Sequence, residues 1–213
     1  MPVKIFIADD HTLFRQGLKA LLEAQGLQVV GDVGEGRSAV KLINKLKPDA
    51  AILDISMPGL NGIEATRIIH REAPGVRILV LSMHSEGRFV LEAFRAGAAG
   101  YLLKDAAFEE IFAALKAALK GQIYVSPAVA EVVVTTSVTN SPEAGCPQSS
   151  ISRREKEVIQ LLAEGKSTKD IAESLCVSVK TIETHRRKIM GRLHCQSIAD
   201  LTKYAIREGL TSL

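Results

Sequence analysis

The chain has 213 residues, enough for one large domain or two modest ones at roughly 150 residues per domain. Hydrophobic residues make up 46% and charged residues 24%, a globular composition that excludes fibrous repeats and disorder throughout. The net charge of +3 hides an asymmetry: residues 1–121 carry 15 Lys and Arg against 14 Asp and Glu, residues 122–150 carry none against 2, and residues 151–213 carry 12 against 8. A nucleic-acid partner, if the chain has one, is therefore expected at the C-terminal third. No apolar run, including the one around Val132–Val134, approaches the ~20 residues of a membrane span. Met1-Pro2-Val3-Lys4-Ile5-Phe6-Ile7 enters a strand pattern directly and leads to two aspartates, so no secretory signal is expected. Cys146, Cys176 and Cys195 are odd in number and widely spaced, which argues against a disulfide framework or zinc site and for a reducing cytoplasm.

Strand-like runs fall at Val3–Ala8, Gln28–Val33, Ala50–Leu53, Arg77–Leu81 and Ala99–Leu102. Helix-period stretches alternate with them at about 12–24, 37–46, 61–72, 86–96 and 107–120. Five strands and five helices in strict alternation predict an α/β domain over 1–121: a five-stranded parallel, doubly wound sheet. Ile78-Leu79-Val80-Leu81 is apolar at every position, as a strand covered on both faces requires.

Residues 122–150 break the alternation and read as a linker. Val125-Ser126-Pro127 is expected to end the last helical region, with a helical turn or two around Ala128–Val134. Thr135–Ser150 is rich in Ser, Thr, Pro and Gly, with no Lys or Arg. From 151 to 213 the pattern is all helix, predicting a small four-helix domain. Ser152-Arg153-Arg154-Glu155 is a capping box before Val158, Ile159, Leu161 and Leu162, a run that stops at Gly165. Ser167-Thr168-Lys169-Asp170 opens a short helix carrying Ile171, Ala172 and Leu175. Cys176-Val177-Ser178 is a turn whose Ser178 caps a third helix to about Leu193, and a fourth runs from about Ser197 to Glu208 before Gly209. Cys176 and Cys195 occupy apolar positions and are expected to be small buried hydrophobes.

In an open parallel sheet, ligands bind beyond the carboxyl ends of the strands. Strand one ends in Asp9-Asp10, strand three in Asp54 and strand four in Ser82, and Lys104 follows strand five. Converging carboxylates repel one another, and a hard divalent cation such as Mg²⁺ relieves this while accepting phosphate oxygens. A nearby lysine suits the remaining charge of a phosphoryl group, which one aspartate can accept as an acyl phosphate. Taken singly, Asp9-Asp10 reads as a helix-capping turn, Lys104 as a solvated charge, Tyr101 as core and Ser82 as a loop hydroxyl. Their common placement is what points to phosphoryl chemistry.

Asp9-Asp10, the stretch Asp54-Ile55-Ser56-Met57-Pro58-Gly59-Leu60-Asn61-Gly62, Ser82, and Tyr101-Leu102-Leu103-Lys104 resemble the receiver domain of bacterial two-component response regulators over residues 3–120. The resemblance implies a flavodoxin-like fold with Asp54 as phosphoacceptor for a sensor histidine kinase. It implies Mg²⁺ held by Asp10, Asp54 and the Ser56 carbonyl, with Asp9 assisting through water. Lys104 would contact the phosphoryl group, and Ser82 and Tyr101 would form a switch pair. Many receivers have proline after the lysine, often across a cis bond; Asp105 stands here, which leaves that isomer open. A haloacid-dehalogenase-like phosphatase would need a second aspartate two residues after the nucleophile, where this chain has Ser56, so an enzyme with turnover is not expected. Of the histidines, His11, His70, His84 and His194 join no metal-spaced cluster, although His11, just after Asp10, borders the acidic pocket.

The pattern at 168–193 is helix, short turn, helix, whose second helix suits a major groove. Ile182, His185, Ile189 and Leu193 form its inward stripe. Lys180, Thr184, Arg187 and Gly191, flanked by Glu183 and Lys188, lie opposite, with Arg186 and Arg192 adding phosphate attraction. By itself this also suits a protein-interaction bundle with a solvated basic face. Ser152-Arg153-Arg154-Glu155-Lys156-Glu157-Val158, Ala163-Glu164-Gly165-Lys166-Ser167, Ile171-Ala172 and Ser178-Val179-Lys180-Thr181-Ile182-Glu183-Thr184-His185 resemble the LuxR-type domain of NarL/FixJ-like regulators. The resemblance implies base contacts from Glu183, Thr184 and Arg187, and backbone contacts from Lys180, Thr181 and Lys188. It also implies promoter DNA as partner and a homodimer on phosphorylation, in the cytoplasm and without a membrane. Position 183 is often lysine in that family; Glu183 either accepts from cytosine N4 or repels phosphate.

Overall fold

The computed structural model describes residues 2–132 and 151–211. The Ser/Thr-rich part of the expected linker, Thr135–Ser150, and Cys146 within it lie outside the described residues. The described residues divide into two compact units, one α/β and one helical.

The α/β unit comprises β1 (Lys4–Ala8), α1 (Thr12–Ala24), β2 (Gln28–Val33), α2 (Gly36–Leu46), β3 (Ala50–Asp54), α3 (Gly62–Glu72), β4 (Arg77–Ser82), α4 (Gly87–Ala96), β5 (Gly100–Leu103), α5 (Phe108–Leu119) and β6 (Tyr124–Val125). Residues 127–132 add a short helix, α6. All strand pairs are parallel, in the order β2-β1-β3-β4-β5-β6. Successive side chains of a strand leave opposite faces, and β4 shows the consequence. Leu79 and Leu81 pack with Ile5, Ile7, Leu18 and Leu115, while Val80 packs with Ile55, Phe89 and Tyr101 on the other face. The two cores cover both faces, which is why the interior positions of β3 and β4, residues 51–53 and 78–81, are apolar without alternation.

The sheet has six strands where five were expected. Tyr124 N–H donates to Ala99 O at 2.9 Å and Ser126 N–H to Tyr101 O at 3.0 Å, so residues after α5 pair with the open edge of β5. Two residues are too few for a periodic signal. Val125-Ser126-Pro127 consequently does not end the last long helix: α5 stops at Leu119, and Gly121, with φ of 80°, turns the chain toward β6.

Strand order reverses between β1 and β3, opening a crevice at their carboxyl ends. Ala8 is in register with Leu53, and Asp54 with Leu81. The loop after β3 folds back so that Gly62 N–H donates to Ile55 O at 2.8 Å, and Asn61 then caps α3 by accepting from Glu64 N–H at 3.0 Å. A Cβ at Gly62 would stand 1.9 Å from the Asp54 carbonyl oxygen.

The helical unit contains α7 (Arg153–Ala163), α8 (Thr168–Ser174), α9 (Val179–Arg192) and α10 (Ile198–Arg207). Ser152, Ser167, Ser178 and Ser197 cap these helices, and Glu155, Asp170 and Asp200 complete capping boxes at α7, α8 and α10. Burial works against the Glu155 carboxylate, but Ser152 and Arg192 outweigh it and hold the group below the usual range. Val158, Ile159, Ile171, Ile182, Ile189, Leu201 and Ala205 form the core. The cysteines differ from expectation: Cys176 is exposed and Cys195 half-buried. Cys176 has a left-handed φ of 52° just after α8, where Leu175 and Val177 take the inward positions on either side.

Gly62→Ala is expected to displace the loop carrying Asp54 and to cost at least about 1–3 kcal/mol, read as a lowered melting temperature of the α/β unit. An unchanged melting temperature would mean that the loop accommodates a methyl group beside Asp54.

Candidate functional site

Four strands of the sheet, β1, β3, β4 and β5, deliver polar groups to the same edge. Asp9 follows β1, Asp54 closes β3, Ser82 closes β4, and Lys104 follows β5. Lys104 Nζ lies 2.8 Å from Asp9 Oδ2 and 2.8 Å from Asp54 Oδ2, with side-chain exposures of 7%, 3% and 2% respectively. Burial pushes the Asp54 carboxyl up from its usual range, a shift that Lys104 only partly offsets. Burial also works against the Lys104 ammonium, but Asp54 and Asp9 outweigh it and raise its pKa.

Asp10 Oδ1 is buried and accepts no hydrogen bond among the described residues, with His11 Nδ1 at 2.7 Å. Donor atoms of Asp9, Asp10, His11 and Asp54 all lie within 4.8 Å of one another. Three carboxylates on one side of a pocket are a hard oxygen donor set of the kind Mg²⁺ takes, so the residues present fit that ion. Ser56 approaches through its backbone N–H, which donates to Asp54. The Lys104–Asp105 bond is trans.

Ser82 and Tyr101 are fully buried. Tyr101 Oη donates to His84 O at 2.6 Å, while Ser82 Oγ accepts from His84 N–H at 3.1 Å. Both hydroxyls thus hold the same stretch of the β4–α4 loop. Burial raises the Tyr101 pKa above the ordinary tyrosine value.

Two further residues belong to this edge, and no motif points to them. His84 has Nε2 at 3.4 Å from Ser56 Oγ and its ring centroid 4.4 Å from that of Phe89; burial lowers its pKa despite Glu86. Arg15 donates to the Asp9 backbone oxygen and, through Nε, to Asp32 Oδ2 at 3.2 Å. The only sequence signal for Arg15 is its place one turn into α1, on the side facing β2.

In the helical unit, α9 buries Ile182 and Ile189 and exposes Lys180, Glu183, Thr184, Arg187 and Lys188. Thr181 is half-buried, its Oγ1 2.8 Å from Ser178 Oγ, so its hydroxyl takes part in the N-cap. Thr184 Oγ1 donates to Lys180 O at 2.8 Å. His185 is half-buried on the inward side, and its Nδ1 has no hydrogen-bond partner among the described residues. Glu183, Arg186, Arg187 and Met190 line a shallow hollow on the exposed side. Among the described residues, no helix is long and apolar enough to cross a membrane.

Residues 5–116 match the family model described as the response regulator receiver domain, and residues 149–205 that described as bacterial regulatory proteins of the luxR family. The chain is 35% identical over 209 residues to the response regulator GacA of Pseudomonas aeruginosa, covering 98% of this chain and 97% of GacA. It is 36% identical over 211 residues to the transcriptional regulatory protein LiaR of Bacillus subtilis, covering 99% and 100%. A solved chain of the RcsB response regulator of Salmonella typhimurium is 27% identical with a TM-score of 0.59, covering 97% of this chain and 98% of that one. RcsB has also been solved in complex with DNA, at 27% identity and a TM-score of 0.60, with coverage of 97% and 98%.

Lys104→Met removes the charge that, among the described residues, offsets burial at Asp54. The Asp54 midpoint, followed by carboxyl ¹³C NMR without divalent metal, is expected to move further upward. A folded carboxyl that holds its proton more tightly than the unfolded one loses stability as pH rises through the two values. The variant should therefore be destabilised on the alkaline side, by about 3–5 kcal/mol where the Asp54 carboxylate is ionised. An unmoved midpoint would show that the ammonium does not govern Asp54.

Proposed function

The chain belongs to the response regulators that join a receiver domain to a LuxR-type DNA-binding domain, and from that premise we propose that Asp54 is its phosphoacceptor and α9 its DNA-reading helix. A sensor histidine kinase is the donor. An Asp54 carboxylate oxygen attacks phosphorus, the P–N bond to the kinase imidazole breaks, and the leaving nitrogen keeps the electron pair and takes a proton. The observation that carries this reading is the buried contact of Lys104 Nζ with Asp54 at 2.8 Å. It places a fixed cation where a phosphoryl oxygen on Asp54 would develop charge. Mg²⁺ would be held by Asp10, Asp54 and the Ser56 carbonyl, with Asp9 through water, and supplies charge stabilisation to the phosphoryl oxygens.

The chain is then a stoichiometric acceptor rather than a turnover enzyme. The position two residues after Asp54 holds a serine, whose hydroxyl is a poor base for activating water, so the acyl phosphate should persist. A new dianion on Asp54 competes for Lys104 and attracts the Ser82 hydroxyl, which now serves His84 N–H. Movement of Ser82 loosens the loop that Tyr101 also grips, and so biases the surface of α4, β5 and α5. That surface change is the route by which phosphorylation promotes a homodimer on promoter DNA, in the cytoplasm.

On α9, Glu183, Thr184 and Arg187 read base edges, while Lys180, Thr181 and Lys188 contact the backbone. Their support is exposure: all but the half-buried Thr181 lie on the solvent side of a helix whose other side is pinned by Ile182 and Ile189.

Asp54→Asn is expected to abolish incorporation of label from acetyl phosphate and Mg²⁺. Labelling that persists at another residue would overturn the assignment. Arg187→Ala should cost about 1–3 kcal/mol on a duplex recovered by selection from random sequence, and relax preference at one position. Equal loss on unrelated duplexes would move Arg187 to the backbone-contacting set.

A further inference from the structure

Resting on the reading of the carboxylate pocket as a divalent-cation site, we propose that His11 adds a nitrogen ligand to it, so that the pocket takes borderline cations such as Ni²⁺ in preference to Mg²⁺. His11 occupies the N-cap of α1, a position that favours Ser, Thr, Asp or Asn because their side chains accept from the first turn of the helix. Its side chain makes no cap hydrogen bond. The imidazole turns to the acids instead: Nδ1 lies 2.7 Å from Asp10 Oδ1, 3.4 Å from Asp9 Oδ1 and 3.3 Å from Lys104 Nζ. Its own backbone N–H donates to Asp9 Oδ1 at 2.9 Å, which fastens the residue to the pocket rim.

The separations among His11, Asp10 and Asp9 are those of ligands on one ion. Adjacent donors about 2.1 Å from an octahedral cation stand ~3 Å apart, and opposite donors ~4.2 Å apart. The spread of 4.8 Å across the four residues thus closes with shifts of a few tenths of an ångström. With 62% of its side chain exposed, His11 makes that shift without disturbing the core.

Donor chemistry decides the preference. Carboxylate, carbonyl and water suit Mg²⁺, whereas imidazole suits the later first-row metals, whose affinity for mixed nitrogen and oxygen sites rises toward Ni²⁺ and Cu²⁺. A nitrogen ligand therefore adds affinity for Ni²⁺ that Mg²⁺ does not share. The metal remains a resident of the phosphoryl pocket, and His11 sets which metal wins.

Calorimetric titration of the unphosphorylated full chain with Mg²⁺ and with Ni²⁺ alone tests this, using His11→Ala and His11→Gln. The glutamine keeps a polar side chain but no ring nitrogen. Both variants are expected to weaken Ni²⁺ by at least ~10-fold and to change Mg²⁺ affinity by less than about twofold. Pulsed EPR of bound Mn²⁺ should show nitrogen coupling in the parent chain and none in either variant. Equal weakening of both metals, unchanged Ni²⁺ affinity, or nitrogen coupling that survives in His11→Ala would each overturn the assignment. Should the parent chain bind no Mg²⁺ at all, the cation-site reading itself falls, a result distinct from a failure of His11.

Discussion

A single ammonium, Lys104 Nζ, sits 2.8 Å from two buried carboxylates and offsets part of the burial that pushes the Asp54 carboxyl upward. Much of the α/β unit can be understood as the means of holding that contact. Buried ion pairs contribute little net stability, because desolvation of the charges consumes most of the attraction. What the arrangement provides is placement. β1, β3 and β5 are separate strands of a fully covered sheet, so the three charges cannot drift apart without breaking two cores. A phosphoryl group arriving on Asp54 meets a cation whose position the sheet has already set, and little reorganisation is left to the moment of transfer.

The surrounding hydrogen bonds explain how so small a chemical event reaches a larger surface. His84 gives its backbone N–H to Ser82 and its carbonyl to Tyr101. One peptide segment therefore reports on a side chain at the phosphoryl edge and on an aromatic ring buried against α4. On the opposite flank, Arg15 ties the Asp9 backbone to Asp32 on β2. The pocket is thus braced from the β2 side, leaving the β4–α4 loop as the side able to respond.

The helical unit follows a different logic. Its helices are short, and local capping supplies what length does not: each begins with a serine whose hydroxyl accepts from the first turn. α9 has a thin apolar stripe, anchored by Ile182 and Ile189, which leaves most of its circumference polar. Such a helix is costly to build in isolation and is stable only because α7 and α8 pack on that stripe. The polarity that makes it a weak helix is what allows it to face a duplex.

Alternation of apolar and amphipathic runs was enough to specify the parallel sheet, and serine-led caps were enough to delimit four helices, because both are local periodic signals. The acids and the lysine were legible for a topological reason: strand ends in a parallel sheet share one edge, whatever the loops do. The short β6 was not legible, since two residues carry no period and pair only because β5 presents a free edge. Nor was the exposure of Cys176, which depends on a left-handed turn that lets Leu175 and Val177 point inward. Tertiary structure alone decided that His84 bridges Ser82 and Tyr101, that Arg15 reaches the Asp9 carbonyl, and that the His11 imidazole turns away from its own helix toward the acids. These are contacts between residues 6 to 17 positions apart or at a bend in the chain, where orientation comes from the packed neighbours and not from the order of residues.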